Sequence, residues 1–302
     1  MSGRRLLRLG ALVGITAVWG GTFVMVKDAV AIYPVASFLA YRFVLALLLF
    51  VPFLGRIEWR SVRAGLPIGF VMGAAFILQT IGLHLTLASD TGLITGLFVL
   101  LVPLMEWLLL RNRVPRITLI GLVFAVGGLT LLVGGLPRQL ALGDLLVGLS
   151  AIGYAAQIIL LSRQSPHHET ISLTVGQTFG AAAVFLAAAM TPFGGGLSLP
   201  PLAVWPAIVI TATLATTLGL FVQAWAQRDL PATPAAIILL TEPAWATFFG
   251  VVVSGNPFPP VRIAGAALLF LTPLFITLVG TRPAQRIFTY VARREREEPA
   301  AA

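Results

Sequence analysis

The chain has 302 residues, of which 58% are hydrophobic and only 10% charged, with a formal net charge of +9 and a mean hydropathy of +0.96. This balance excludes an ordinary soluble domain, in which about a quarter of the residues are charged, and points to an all-α polytopic membrane protein. The absence of cysteine excludes disulfides and thiolate chemistry, and the basic surplus of such a chain is a topology signal, with no nucleic-acid partner expected.

A helical span needs about 20 mostly apolar residues, because about 30 Å of hydrocarbon is crossed at about 1.5 Å per residue with every backbone group bonded internally. Ten segments qualify. The first, residues 10–26, follows a basic N-terminus, but it is too long for a secretory signal and lacks a small-residue cleavage site; it carries Trp19, Gly20 and Gly21 near its middle. The second, 34–54, holds Arg42, and the third, 65–87, holds Gln79. The fourth, 91–110, contains Pro103, and 117–134 is the fifth. The sixth and seventh, 144–161 and 171–190, carry Gln157 and Gln177. After 203–225, the ninth span, 233–253, holds Glu242, Pro243 and Trp245, and 261–280 is the tenth. Turn formers such as Pro137, Gly143, Pro166, Gly194-Gly195-Gly196, Pro231 and Pro259-Pro260 fill the short gaps.

Cytoplasmic loops retain Lys and Arg. One side of the ten spans receives Arg4, Arg5, Arg8, Arg56, Arg60, Arg63, Arg111, Arg113, Arg116, Arg163, Arg228, Arg282, Arg286, Arg293, Arg294 and Arg296, and the other only Lys27, Arg138 and Arg262. Both termini are therefore expected in the cytoplasm. With an even number of spans and both ends inside, the chain divides into two halves of five, and an odd half can repeat only upside down, as in secondary transporters. The fourth-to-fifth connections agree in spacing: Asn112 precedes Gly121, and Asn256 precedes Gly265, by the same interval.

An ionisable group at the centre of a span costs about 2.5 to 3.5 kcal/mol and marks function by default. Glu242 is either a cavity or proton-coupling group or a hydrogen-bonded packing residue, and Pro243 beside it should leave a helix carbonyl free and kink the span. Arg42 either snorkels to the external surface or turns inward to hold a substrate carboxylate. Trp19 and Trp245 lie too deep for an interfacial belt such as Trp59, Trp107, Trp205 and Trp225 would form, which makes them cavity walls or packing residues. Gln79, Gln157 and Gln177 bond helix to helix or touch solute. Glu106 and Arg111, a turn apart near one interface, are expected to form an exposed ion pair. His84, His167 and His168 lack metal-ligand spacing, so no metal is expected.

Trp19-Gly20-Gly21-Thr22-Phe23, the run Ser89-Asp90-Thr91-Gly92-Leu93-Ile94-Thr95-Gly96-Leu97 with Pro103, and Thr241-Glu242-Pro243 resemble the EamA-type proteins of the drug/metabolite transporter superfamily over nearly the whole chain. Many relatives carry Gly-Glu-Arg or Gly-Glu-Pro before the last helix of each repeat, whereas this chain has Arg111-Asn112-Arg113 and Gly255-Asn256-Pro257, so no role of those glutamates transfers. The resemblance implies ten helices in two inverted five-helix repeats, 1–137 and 138–281, followed by a basic cytoplasmic tail at 282–302. It implies an exporter of small organic solutes, amino acids or related metabolites, across the bacterial inner membrane by alternating access. Trp19, Arg42, Gln79, Gln157, Gln177, Glu242 and Trp245 would line the cavity, and Gly20, Gly21, Pro103 and Pro243 would act as hinges. No cofactor is expected, proton coupling is the candidate drive, and the unit is a monomer or homodimer among membrane lipids. A lipid-modifying membrane enzyme and a non-transporting partner subunit are the alternatives.

Overall fold

A computed structural model describes residues 3–85, 91, 94–111, 114–133, 142–192, 194–254 and 259–279. Ser89, Asp90, Asn112, Arg138, Asn256 and the tail 282–302 lie outside the described residues. Every described element is helical: α1 (Gly3–Ile32), α2 (Val35–Leu48), a 3-10 helix (Val51–Arg56), α3 (Trp59–Leu85), α4 (Phe98–Leu110), α5 (Arg116–Val133), α6 (Leu142–Gln164), a second 3-10 helix (Ser165–His167), α7 (Thr170–Ala189), α8 (Trp205–Gln227), α9 (Ala232–Leu239), α10 (Glu242–Ser254) and α11 (Pro260–Val279).

Seven of these runs are long and apolar enough to cross a bilayer: Leu6–Ile32, Trp59–Gly82, Arg116–Val133, Leu142–His167, Thr170–Ala189, Trp205–Gln227 and Ala232–Val253. Val35–Leu48, Ile94–Leu109 and Pro260–Ile276 are shorter apolar helices. The second expected span is thus truncated. Its α-helix stops at Leu48, and Pro52, at the start of the 3-10 helix, cannot continue an α-helical ladder. Residues 51–56 run on as an exposed 3-10 helix with no buried member.

The ninth expected span is interrupted. The bonds tighten to a three-residue step where Thr241 N–H donates to Ile238 C=O at 3.0 Å and Ala244 N–H to Thr241 C=O at 3.1 Å. Pro243 therefore does not kink a continuous helix as expected. It occupies the first turn of α10, where its missing N–H is not required.

The packing of the two halves interchanges when each helix is swapped for its counterpart. α3 lies against α6 and α7, and its counterpart α8 lies against α1 and α2. The fourth span of each half meets the first span of the other, α4 on α6 and α10 on α1, and the two fifth spans, α5 and α11, pair with each other. Glycine permits these crossings. A Cβ on Gly69 would come within 2.0 Å of the Gln177 carbonyl oxygen, and one on Gly176 within 2.1 Å of the Val62 carbonyl oxygen. Without a hydrophobic force between helices in lipid, such close backbone approach supplies the packing.

Polar contacts at the helix ends fall into two groups that do not mix. At the Arg-rich end, Arg8 pairs with Asp229 and lies over the Trp225 ring, Glu106 accepts from Thr233 Oγ1 at 2.5 Å, and Glu169 caps α7 through the Ile171 and Ser172 N–H groups. Glu106 therefore bonds across to the other half, not to Arg111 as expected. Arg111 itself ends α4 in the left-handed region at φ 54°. At the opposite end, Tyr33, Ser37 and Tyr41 donate their hydroxyls to carbonyls of the loop 194–198. Gly195, at φ 79°, brings that loop against Pro34.

Candidate functional site

Span eight holds the feature the sequence reading missed. Between Thr211 and Leu218 the helix widens to π geometry, which presents backbone groups that an α-helix would consume and is commonly found at functional sites. Two expected site residues converge on this segment. Trp19 Nε1–H donates to the Ala215 carbonyl at 2.7 Å, and Arg42 Nε–H donates to Thr216 Oγ1 at 2.7 Å. Gly219 makes room for the indole, since a Cβ there would lie 2.6 Å from Trp19 Nε1. The run Thr211, Thr213, Thr216, Thr217 was the available signal, because threonine hydroxyls bond back to the preceding turn and loosen a helix; Thr211 and Thr213 do so, to Ala207 and Val209.

Arg42 turns inward. It is 8% exposed and sits beside the Phe43 ring, so the snorkelling alternative does not describe this structure. Its charge interacts with Tyr154 on α6 and with Glu242 at the head of α10, although Arg42 and Glu242 do not form a direct ion pair. Counted in the spans read from the sequence, Trp19, Arg42, Tyr154, Thr216 and Glu242 each lie seven to nine residues, on the order of 10–14 Å of helix, from the nearer end. They therefore share a level at the middle of the bundle.

The break before Glu242 is held from the opposite helix. Thr16 and Thr241 hydroxyls lie 2.8 Å apart, and each is also within reach of a carbonyl of its own preceding turn; with two protons for three contacts, one hydroxyl donates to its carbonyl while the other donates to that hydroxyl. Gly20 lies directly on α10: a Cβ there would meet Ala246 N at 2.6 Å, Trp245 Cβ at 2.7 Å and Glu242 O at 2.9 Å. A Cβ on Gly21 would lie 3.2 Å from the Phe249 ring. Pro103 is buried within α4.

The remaining expected residues divide. Gln79 belongs with the central group, since Tyr154 OH donates to Gln79 Oε1 at 2.8 Å and Gln79 Nε2 donates to Thr95 Oγ1 at 3.0 Å. Gln157, 3% exposed, accepts from Gln223 Nε2 at 3.4 Å on the seam between α6 and α8. Gln177 is buried in the crossing of α3 and α7, with Nε2 3.6 Å from Met72 Sδ. Trp245 packs among Phe248, Phe249 and Phe270, its Nε1–H buried without a partner. Tyr154, Thr216, Gln223 and Gln227 are the central or adjacent polar residues that sequence reasoning did not single out. An apolar groove lined by Val123, Phe124, Gly127 and Leu268 lies on the outer side of α5 and α11, away from these residues.

The model of the EamA-like transporter family matches residues 8–134 and again 141–278. An uncharacterized transporter of Archaeoglobus fulgidus is 30% identical over 264 residues, 87% of this chain and 83% of the relative. The uncharacterized transporter YyaM of Bacillus subtilis is 25% identical over 86% of this chain and 90% of its own length. A solved crystal structure is similar in fold, with a TM-score of 0.73, 18% identity, and coverage of 92% of this chain and 98% of that one.

Proposed function

The chain belongs to the EamA-like transporter family of the drug/metabolite transporter superfamily, and on that premise we propose that it is a secondary or facilitative transporter that exports small organic solutes, amino acids or related metabolites, by alternating access. Its two repeats are inverted, both termini face the cytoplasm, and the membrane is the bacterial inner membrane. The interchange of helix pairings between the halves supports the inversion, and the separation of polar contacts at the two ends supports the alternation of spans.

One observation carries the reading. Arg42, turned inward onto Thr216 Oγ1, and Glu242, at the head of α10, form no ion pair with each other among the described residues, so neither is neutralised by direct contact with the other. On this reading a zwitterionic solute binds with its carboxylate on the Arg42 guanidinium and its ammonium on Glu242, and an ion pair of this kind is favourable where water is scarce. Glu242 also serves as the proton-coupling group, since a carboxyl that releases its proton when the solute ammonium arrives exchanges one cation for another. Trp19 holds the π segment, and Gly20 lets α1 slide on α10 as the cavity alternates.

Efflux of amino acids from proteoliposomes across an imposed proton gradient tests this. Wild-type protein is expected to move at least one zwitterionic solute, Arg42→Gln to abolish the flux, and Glu242→Gln to remove its pH dependence. Flux that is indifferent to both substitutions sinks the assignment of the pair. The absence of flux for every solute tested sinks the exporter reading.

A further inference from the structure

Below the central group, on the side of the Arg-rich end, a line of amides follows the seam between α6 and α8. Tyr154 and Gln157 lie one turn apart on α6, Ser162 lies further along it, and Gln223 and Gln227 lie one turn apart on α8. Gln223 Nε2 donates to Gln157 Oε1, while Gln227 Nε2 donates to Ser162 Oγ at 2.6 Å and to Ile158 O at 3.0 Å. Ser162 Oγ in turn donates to Leu230 O at 3.4 Å.

The line is buried and incompletely bonded. Gln157 is 3% and Gln227 1% exposed, yet Gln157 Nε2 and Gln227 Oε1 have no protein partner. One donor and one acceptor left over on a single seam suit bound water, which settles where two to four polar groups converge. One turn further in on α6 stands Tyr154, whose hydroxyl donates to Gln79 and whose charge interacts with Glu242 and Arg42. At its outer end it reaches Arg228, hydrogen-bonded to Thr170, and Asp229, paired with Arg8.

We propose that this seam is a proton-access path, in which Gln157, Ser162, Gln223 and Gln227 hold a short file of water joining Glu242 to the Arg-rich face. The amides keep their own protons. Each water accepts one proton and passes on another, so a proton gained by Glu242 is matched by one lost from bulk water. Arg42 from α2 and Tyr154 from α6 are the ionisable groups whose charges interact with Glu242, and α1 meets this part of the chain through the Gly20 backbone and the Thr16 hydroxyl. The proposal rests on the reading of Glu242 as a proton-coupled group.

Infrared spectroscopy of the full chain in proteoliposomes provides the test, with the switch from H2O to D2O as the probe. The carboxyl C=O band of Glu242, identified by its loss in Glu242→Gln, shifts as its proton exchanges. Gln157→Met and Gln227→Met preserve bulk and remove the amide, and each is expected to slow that shift by roughly tenfold, the factor given by about 1.4 kcal/mol of barrier. Thr174→Val, which alters a buried hydroxyl on α7 outside the seam, leaves the rate unchanged. Where a methionine variant does not fold, Gln227→Asn, which withdraws the amide by one methylene, takes its place with the same expectation of slowing. Exchange at the wild-type rate in these variants overturns the path alone, and Glu242→Gln still removes the pH dependence of flux. A spectrum with no Glu242 carboxyl band between about pH 4 and 9, a range spanning ordinary and strongly raised carboxyl values, overturns both.

Discussion

Arg42 donates its Nε–H to the Thr216 hydroxyl where only 8% of the residue is exposed, and hydrogen bonds to charged groups contribute about 1.5–3 kcal/mol. Thr216→Val keeps the side-chain shape and removes the acceptor, so thermal unfolding in detergent should register a loss of that order, while Thr216→Ser retains most of the stability. Outside the spans, Glu169 offers a test by pH. Burial pulls its carboxyl upward, but the Ser172 hydroxyl and N–H, the Ile171 N–H and the nearby Arg228 more than offset this, and it titrates below the ordinary 4.5. A lowered folded value contributes stability that is complete above about 4.5 and lost as pH falls through the folded value. Wild-type melting temperature should therefore drop on acidification below that point, and Glu169→Gln should drop less; parallel curves would refute the assignment. At this scale Arg42 and Glu242 were legible because a charge inside an apolar run is conspicuous. Tyr154 and Thr216 were not, since a tyrosine or threonine in a span carries no such cost and gains its role from neighbours distant in the chain.

Helix crossings and interruptions define the element scale. Gly69→Ala would place a methyl against the Gln177 carbonyl and the Ala181 nitrogen, backbone atoms that cannot rotate away, so α3 and α7 must separate at a cost of about 1–3 kcal/mol. Gly127, on α5, has nothing within 4 Å of its Cβ position, and Gly127→Ala should be neutral or stabilising by up to about 1 kcal/mol through helix propensity. Opposite shifts of the melting temperature in the two variants would confirm that close approach, not glycine content, holds the first crossing. Hydrophobic runs announced most helices, since apolar length is a local property. The π segment and the tightened step at Thr241 went unread because both depend on partners: Trp19 and Arg42 stabilise the first, and the Thr16 hydroxyl the second. Pro243 was noticed, but its effect depends on where the helix begins, which tertiary contact decides.

At the scale of the whole molecule, the alternation of arginines can be tested without removing any native thiol, because the chain has no cysteine. His167→Cys, at the Arg-rich end, should react with an impermeant thiol reagent only from the cytoplasm, and Leu199→Cys, on the exposed loop before α8, only from outside; labelling of both from one side would refute the topology. The division into halves was legible from span parity and repeated spacing. The partner of each helix was not, since those pairings join segments from opposite halves. One such pairing bears on biosynthesis. α5 packs chiefly on α11, with Gly121 against Ile276 and Gly128 against Gly265 and Leu269. α5 leaves the ribosome before α11, with α6 to α10 made between them. The glycine face of α5 must therefore wait in lipid, without its main partner, until all the helices between the two and α11 itself have been made.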